Sequence, residues 1–210
     1  MSPLRPPVKF SRLLEKSKAG DAKSQFEIAQ MYDLGDGIQE DKKKAHFWYN
    51  KAARQGNPKH QWAFASFLGL EEEPYQNKPL AFQWIRKLAK NGDAGAQYML
   101  GAHYGAGDDL SQDSKKAVYW YKKSALLGNT EAQYNLGIMY WAGEGVKKNI
   151  EKSHYWLGLA AQNGQSLAQN LLADAFANGW MEFPKDKTKA QYWREKYKKG
   201  AAQLKIRKKK

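Results

Sequence analysis

Between Glu131 and Ala142, Leu136 and Tyr140 recur four residues apart while Gln133 and Gly137 fall on the adjoining face, a spacing that predicts a helix. A second predicted helix runs from about Glu151 to Gln162, with Ser153, Trp156, Leu157, Ala160 and Ala161 on its apolar side. Gly143-Glu144-Gly145 separates the two. Gly164 ends the second helix, where a residue free to turn left-handed closes it.

The same two-helix pattern returns along the whole chain. Gly20, Gly56, Gly92, Gly128, Gly164 and Gly200 stand 36 residues apart. Trp48, Trp84, Trp120 and Trp156 keep that step, and Tyr192-Trp193 stands in the next cycle. So do Gln25, Gln61, Gln97, Gln133 and Gln169. Ile28, Phe64, Leu100, Leu136 and Leu172 form a further column, each followed by a small residue: Ala29, Ala65, Gly101, Gly137, Ala173. These columns mark an array of five repeats, 21–56, 57–92, 93–128, 129–164 and 165–200. A helix pair of this length cannot bury its apolar faces alone and must stack on its neighbours. Residues 1–20 read as an N-terminal capping segment, with 9–19 a lone second helix. Residues 201–210 read as a basic tail, helical or frayed.

The glycine pair at 143 and 145 also invites a phosphate-loop reading. Its first member recurs as Gly35, Gly107, Gly143 and Gly179, always between the paired helices. A nucleotide cradle would stand once, between a strand and a helix, and the chain offers no convincing strand. The glycines therefore read as helix punctuation.

The segment AQYNLGIMYWAGEGVKKNIEKSHYWLGLAAQNG resembles a Sel1-like repeat, a relative of the tetratricopeptide repeat with a longer turn between its helices. GDGIQEDKKKAHFWYNKAARQGN (35–57) and AQYMLGAHYGAGDDLSQDSKKAVYWYKKSALLGN (96–129) are similar to it as well, and the resemblance covers about residues 21 to 200. It implies an all-α fold, an α-solenoid wound as a right-handed superhelix, that binds other proteins and has no catalytic role. Two repeats depart from the pattern. The second carries EEEPYQNKP (71–79) in place of the glycine turn, and the fifth carries NGWMEFPKD (178–186) with a one-residue slip before Ala190.

Composition narrows the chemistry. Of 210 residues 42% are hydrophobic and 13% aromatic, which excludes a disordered polymer as the main state. Formal charge is +14, and the closing KIRKKK carries only five of those charges, so the body is basic too. That favours acidic partners. With no cysteine there is no disulfide, thiolate metal site or cysteine nucleophile. No signal-peptide core or membrane-length apolar run stands out, and the expected location is the cytoplasm.

No catalytic residue, metal site, cofactor or small-molecule substrate is expected. The histidines, His46, His60, His103 and His154, are never three to five residues apart, and no HExxH, calcium-loop or GxSxG pattern occurs. Glu71-Glu72-Glu73 reads as a solvated turn.

A partner protein would sit on the first helices, in the groove the resemblance implies. One column rotated away from the packing face reads Phe26, Trp62, Tyr98, Tyr134 and then Asn170, an aromatic ladder. Beside it lie Gln30, Ser66, Ala102, Ile138 and Asp174, and beyond them Asp33, Gly69, Gly105 and Trp141. Framework columns are uniform whereas these vary, which marks Phe26, Gln30, Asp33, Trp62, Ser66, Tyr98, Tyr134, Ile138 and Trp141 as candidate partner contacts. The same aromatics would also arise as filling between adjacent first helices. Trp48, Trp84, Trp120 and Trp156 belong to the core by frame. The expected function is a protein-binding adaptor with an acidic-surfaced partner, and bacterial immunity against a secreted toxin is the favoured specialisation. The alternative is a basic scaffold for nucleic acid or an anionic surface. Against it, the lysine clusters show no interleaved rings of the kind that bind single strands, and no helix-turn-helix or RNA-recognition signature occurs.

Overall fold

A computed structural model of the chain describes residues 8–70, 75–107 and 111–207. Among the described residues every regular element is helical. The chain divides into two compact units, the first ending at Asn91 and the second beginning at Gly92. The N-terminal unit holds α1 (Val8–Lys18), α2 (Ala22–Leu34), α3 (Lys42–Arg54), α4 (Pro58–Leu70) and α5 (Lys78–Lys90). The C-terminal unit holds α6 (Ala94–Ala106), α7 (Ser114–Leu126), α8 (Thr130–Ala142), α9 (Ile150–Gln162), α10 (Ser166–Asn178) and α11 (Lys187–Arg207). Within each unit a second helix packs on the first helix of its own repeat and on the first helix of the next. This is the α-solenoid class. The acidic turn Glu71–Glu73 and the end of the basic tail, Lys208–Lys210, lie outside the described residues.

Helices α2 to α11 start where a polar side chain accepts an otherwise unpaired backbone N–H. Asp21 accepts from Ser24 at 2.7 Å, Asn129 from Ala132 at 2.8 Å and Gln165 from Ala168 at 2.7 Å. Each first helix with a glycine turn ends on a left-handed residue. Gly143 has φ 74°, and its N–H donates to the Met139 carbonyl at 2.9 Å; Gly35, Gly107 and Gly179 do the same. That is a helix stop, with the N–H of each of these four glycines used inside the fold.

The glutamine column has a specific task. Gln25, Gln61, Gln133 and Gln169 donate through Nε2 to the carbonyls of Ser17, Ala53, Ala125 and Ala161, at 3.0 to 3.3 Å. Those carbonyls belong to the last turn of the preceding helix, where each also accepts the backbone N–H of the glycine three residues on, at 3.1 to 3.2 Å, so the glutamine fills a second lone pair. A second tie recurs between the helices of a pair. The backbone N–H of Asp41, Asn77, Asp113 and Asn149 donates to the carbonyl nine residues earlier, at 2.8 to 2.9 Å. In the fifth repeat Asp186 donates to Phe176, ten residues earlier, at 2.8 Å. The one-residue slip is therefore absorbed in the turn between them. A 3-10 turn at Trp180–Glu182 takes it up, with Met181 at φ 56° and Glu182 at φ 64°.

Packing explains the apolar columns. Ile28, Phe64, Leu100, Leu136 and Leu172 are buried. A Cβ on Gly137 would stand 2.7 Å from Leu157, and one on Gly101 would stand 2.6 Å from the Tyr121 ring, so these helices touch where the sequence places no side chain. The indoles of Trp48 and Trp156 are buried, while Trp84 and Trp120 are half-buried.

Candidate partner-binding surface

In the N-terminal unit, α2 and α4 carry the expected contacts. Phe26 is only 6% exposed. Its ring stacks on His60 at 4.5 Å and 15°, meets Tyr49 at 5.9 Å, and lies below the Lys59 ammonium at 5.6 Å. Burial, ahead of the charge on Lys59, holds the His60 imidazole below its ordinary range, and burial does the same for His46. Asp33 is likewise taken up inside the fold. Lys42 donates to its Oδ1 at 2.8 Å and to its carbonyl at 3.0 Å, and the Tyr49 hydroxyl donates to Oδ2 at 3.1 Å. Phe26 and Asp33, expected at the binding surface, instead join α2 to α3 and α4. Nearby helices offered a ring and a cation, and closing those contacts buries Phe26 and leaves Asp33 half-buried. Gln30 and Ser66 are exposed, and Trp62 is half-buried.

In the C-terminal unit the ladder also turns inward. Tyr98 packs on Tyr121 at 5.9 Å, and burial pushes the Tyr121 phenol up to about 12. Tyr134 and Ile138 are partly buried against the cluster that Leu157, Leu172 and Phe176 build. Asp174 pairs with Arg194 at 2.8 Å. Asn170 is exposed, and Trp141, at 38%, is the expected aromatic that reaches solvent here.

Charge is segregated by helix. α6 has no charged residue, α8 has Glu131 alone and α10 has Asp174 alone. Lysines concentrate on second helices, α2 and α4 having one each, Lys23 and Lys59, and α2 also Glu27 and Asp33: α3 carries Lys42, Lys43, Lys44, Lys51 and Arg54 with no acid, and α7 carries Lys115, Lys116, Lys122 and Lys123 with no acid. The surface of the first helices is thus nearly neutral rather than basic.

One set of residues escaped the sequence reading. Phe47, Tyr119, Tyr155 and Tyr192 each precede a framework tryptophan and are 49%, 51%, 61% and 50% exposed. Lys51, Lys123 and Lys196 lie over the rings of Phe47, Tyr119 and Tyr192 at 4.8, 4.9 and 5.6 Å. Rings and lysines are therefore interleaved after all, one helical turn apart. The signal was present: Phe47, Tyr119 and Tyr155 hold the 36-residue frame, and only the slip hides Tyr192.

Among the described residues, no group of three His, Asp or Glu side chains converges as a metal site, and no helix is long and apolar enough to cross a membrane.

Comparison with known proteins agrees with this architecture. The chain is similar in structure to a Sel1 repeat protein from Oxalobacter formigenes, with TM-score 0.75 and 29% identity over 90% of this chain and 78% of that one. It is also similar to a protective antigen of uropathogenic Escherichia coli displaying the same repeat fold, with TM-score 0.70 and 26% identity over 92% of this chain and 49% of that one. An immunity protein from Pseudomonas aeruginosa shares the fold at TM-score 0.57 and 22% identity, over 92% of this chain and 73% of that one. No match was found among curated proteins. Five stretches, residues 22–57, 61–93, 94–129, 130–165 and 166–196, match the model of the Sel1 repeat. The chain belongs to the Sel1 repeat family.

Proposed function

We propose that the chain is a non-catalytic adaptor that holds a partner protein on its first helices, and that its specialisation is immunity, the capture of an antibacterial toxin domain. Sel1 repeats mediate protein–protein interaction, which is the coarse part of this reading. The observation that carries the finer part is Trp141, a large ring exposed at the end of a nearly uncharged first helix. A rigid aromatic on a neutral surface is the kind of anchor that dominates interface energies. Support for immunity comes from the fold likeness to the Pseudomonas aeruginosa immunity protein over most of both chains.

The test is affinity capture from the native cell, with nuclease and at raised salt, using the natural chain and Trp141→Ala in parallel. A toxin domain retained by the natural chain and lost by W141A at unchanged Tm supports the reading; the expected weakening is about 30-fold, the loss of one hot spot of ~2 kcal/mol. Equal capture by both chains, or recovery of nucleic acid alone, overturns it.

A further inference from the structure

The second helices of the C-terminal unit carry a surface of another kind, independent of the first-helix reading. On α7 the exposed Tyr119 ring meets the Trp120 indole edge-on at 5.1 Å and 81°, and the Lys123 ammonium sits 4.9 Å above it. On α11 the same construction recurs. Tyr192 meets Trp193 at 4.9 Å and 76°, with Lys196 at 5.6 Å. Trp193 is buried, so the ring it supports is held in place rather than swinging free. Between them in the stack, Tyr155 on α9 meets buried Trp156 at 5.1 Å and is 61% exposed. One turn on from Tyr155 stands Leu159 in place of a lysine.

Charge follows the same alternation. α7 carries four lysines and no acid, α11 carries eight cations against Glu195 alone, and α9 balances Glu151 with Lys152. The three helices therefore present basic, apolar and basic ground in turn. At Tyr119 and Tyr192 one side of the ring meets an indole and another lies under an ammonium. A nucleic-acid base needs an open ring face for stacking, and at each of these rings a lysine ammonium stands over one face. Their outward groups are phenol hydroxyls and ammonium groups, donors suited to carboxylates.

We propose that Tyr119 with Lys123, Tyr155, and Tyr192 with Lys196 form a docking surface for an acidic segment of a partner protein. Its carboxylates meet the two lysine-capped rings, and an apolar side chain between them meets Tyr155. Because the donors are already positioned, little side-chain ordering is left to oppose binding.

The probe is a fluorescein-labelled synthetic peptide with Asp-Glu runs flanking one leucine, compared with an oligothymidylate of equal charge. Both are titrated against the full chain near physiological salt, about 0.15 M. Reversing Lys123→Glu and Lys196→Glu together should weaken the peptide by about tenfold or more. The charge-matched pair Lys147→Glu and Lys185→Glu should change affinity by less than about twofold. Tyr155→Ser should weaken it by about fivefold at unchanged Tm. If the reversals lower Tm, Lys123→Gln and Lys196→Gln replace them in the same comparison. Equal weakening by the two charge pairs, tighter binding of the oligothymidylate than of the peptide, or no measurable peptide binding overturns the proposal.

Discussion

The imidazole of His60 lies flat on the ring of Phe26, with centroids 4.5 Å apart and planes 15° from parallel. Burial favours the neutral imidazole there, so its folded pKa lies below the ordinary value. Above the unfolded value, about 6.5, both states are neutral and pH has no effect. As pH falls below it, the unfolded chain takes up the proton first, and stability declines until the folded pKa is passed. The unfolding free energy should therefore fall as pH drops below about 6.5, by at most about 1.4 kcal/mol per pH unit for this one proton, and urea denaturation follows it. His60→Phe should show a smaller drop, the remainder belonging to His46. An identical drop in both chains would show that the stack does not titrate.

Phe26→Ala should cost about 3–5 kcal/mol of stability, as for any large ring removed from a core. Thermal denaturation checks this. Any loss of partner binding in that variant should follow its loss of folded protein.

Gly101 and Gly158 should respond to alanine with opposite signs. Both lie inside helices, where alanine gains up to about 1 kcal/mol. A Cβ on Gly158 meets nothing within 4 Å, so Gly158→Ala should raise stability by about that amount. A Cβ on Gly101 meets the Tyr121 ring at 2.6 Å, and the overpacking, about 1–3 kcal/mol, should outweigh the gain. Urea midpoints that move the same way in both variants would contradict the packing described.

The aspartate caps predict an acid limb. Hydrogen bonds from the backbone N–H groups of Lys44, Lys116 and Lys189 hold Asp41, Asp113 and Asp186 below the ordinary carboxylate range. Their contribution is complete above the unfolded value, about 4, and is lost as pH falls through the lower folded values. Converting all three to asparagine should leave stability at neutral pH nearly unchanged, because Asn77, Asn129 and Asn149 already cap helices here. The same variant should flatten the fall in urea midpoint between about pH 5 and 3. A fall as steep as that of the natural chain would remove the caps from the account.

Gln133→Leu should cost about 1–3 kcal/mol. It removes the bond from Gln133 Nε2 to the Ala125 carbonyl at 3.1 Å, which keeps only the Gly128 N–H, and leaves the Asn163 amide without the Gln133 Oε1 it reaches at 3.2 Å. Asn163→Leu removes only the second bond and should cost less, as denaturant unfolding will show.

The repeat frame was legible because each column answers to one local cause. Glycine stops, the glutamine that reaches back to the previous helix, and the buried Leu136-type position all recur with the same neighbours. Exposure was harder to read. Phe26 and Trp62 share a frame position, yet only Phe26 has His60 one repeat on to stack against, and that contact is not visible in a periodic pattern. Asp33 was unreadable for the same reason, because Lys42 and Tyr49 occur together with it only in the first repeat. The outer rings were legible: each directly precedes a framework tryptophan, and one step along a helix turns a side chain by about 100°, out of the packing face.

The ties between helices have a mechanical consequence. Each backbone clamp joins residues nine or ten positions apart, and each glutamine reaches back eight. Among the described residues of the C-terminal unit the longer side-chain ties, such as Asn163 to Gln133, also reach only the neighbouring repeat. Drawn by its carboxyl end, that unit should peel, α11 leaving α10 before α9 leaves α8, so a translocating protease that grips the tail would meet a series of small barriers in place of one large one.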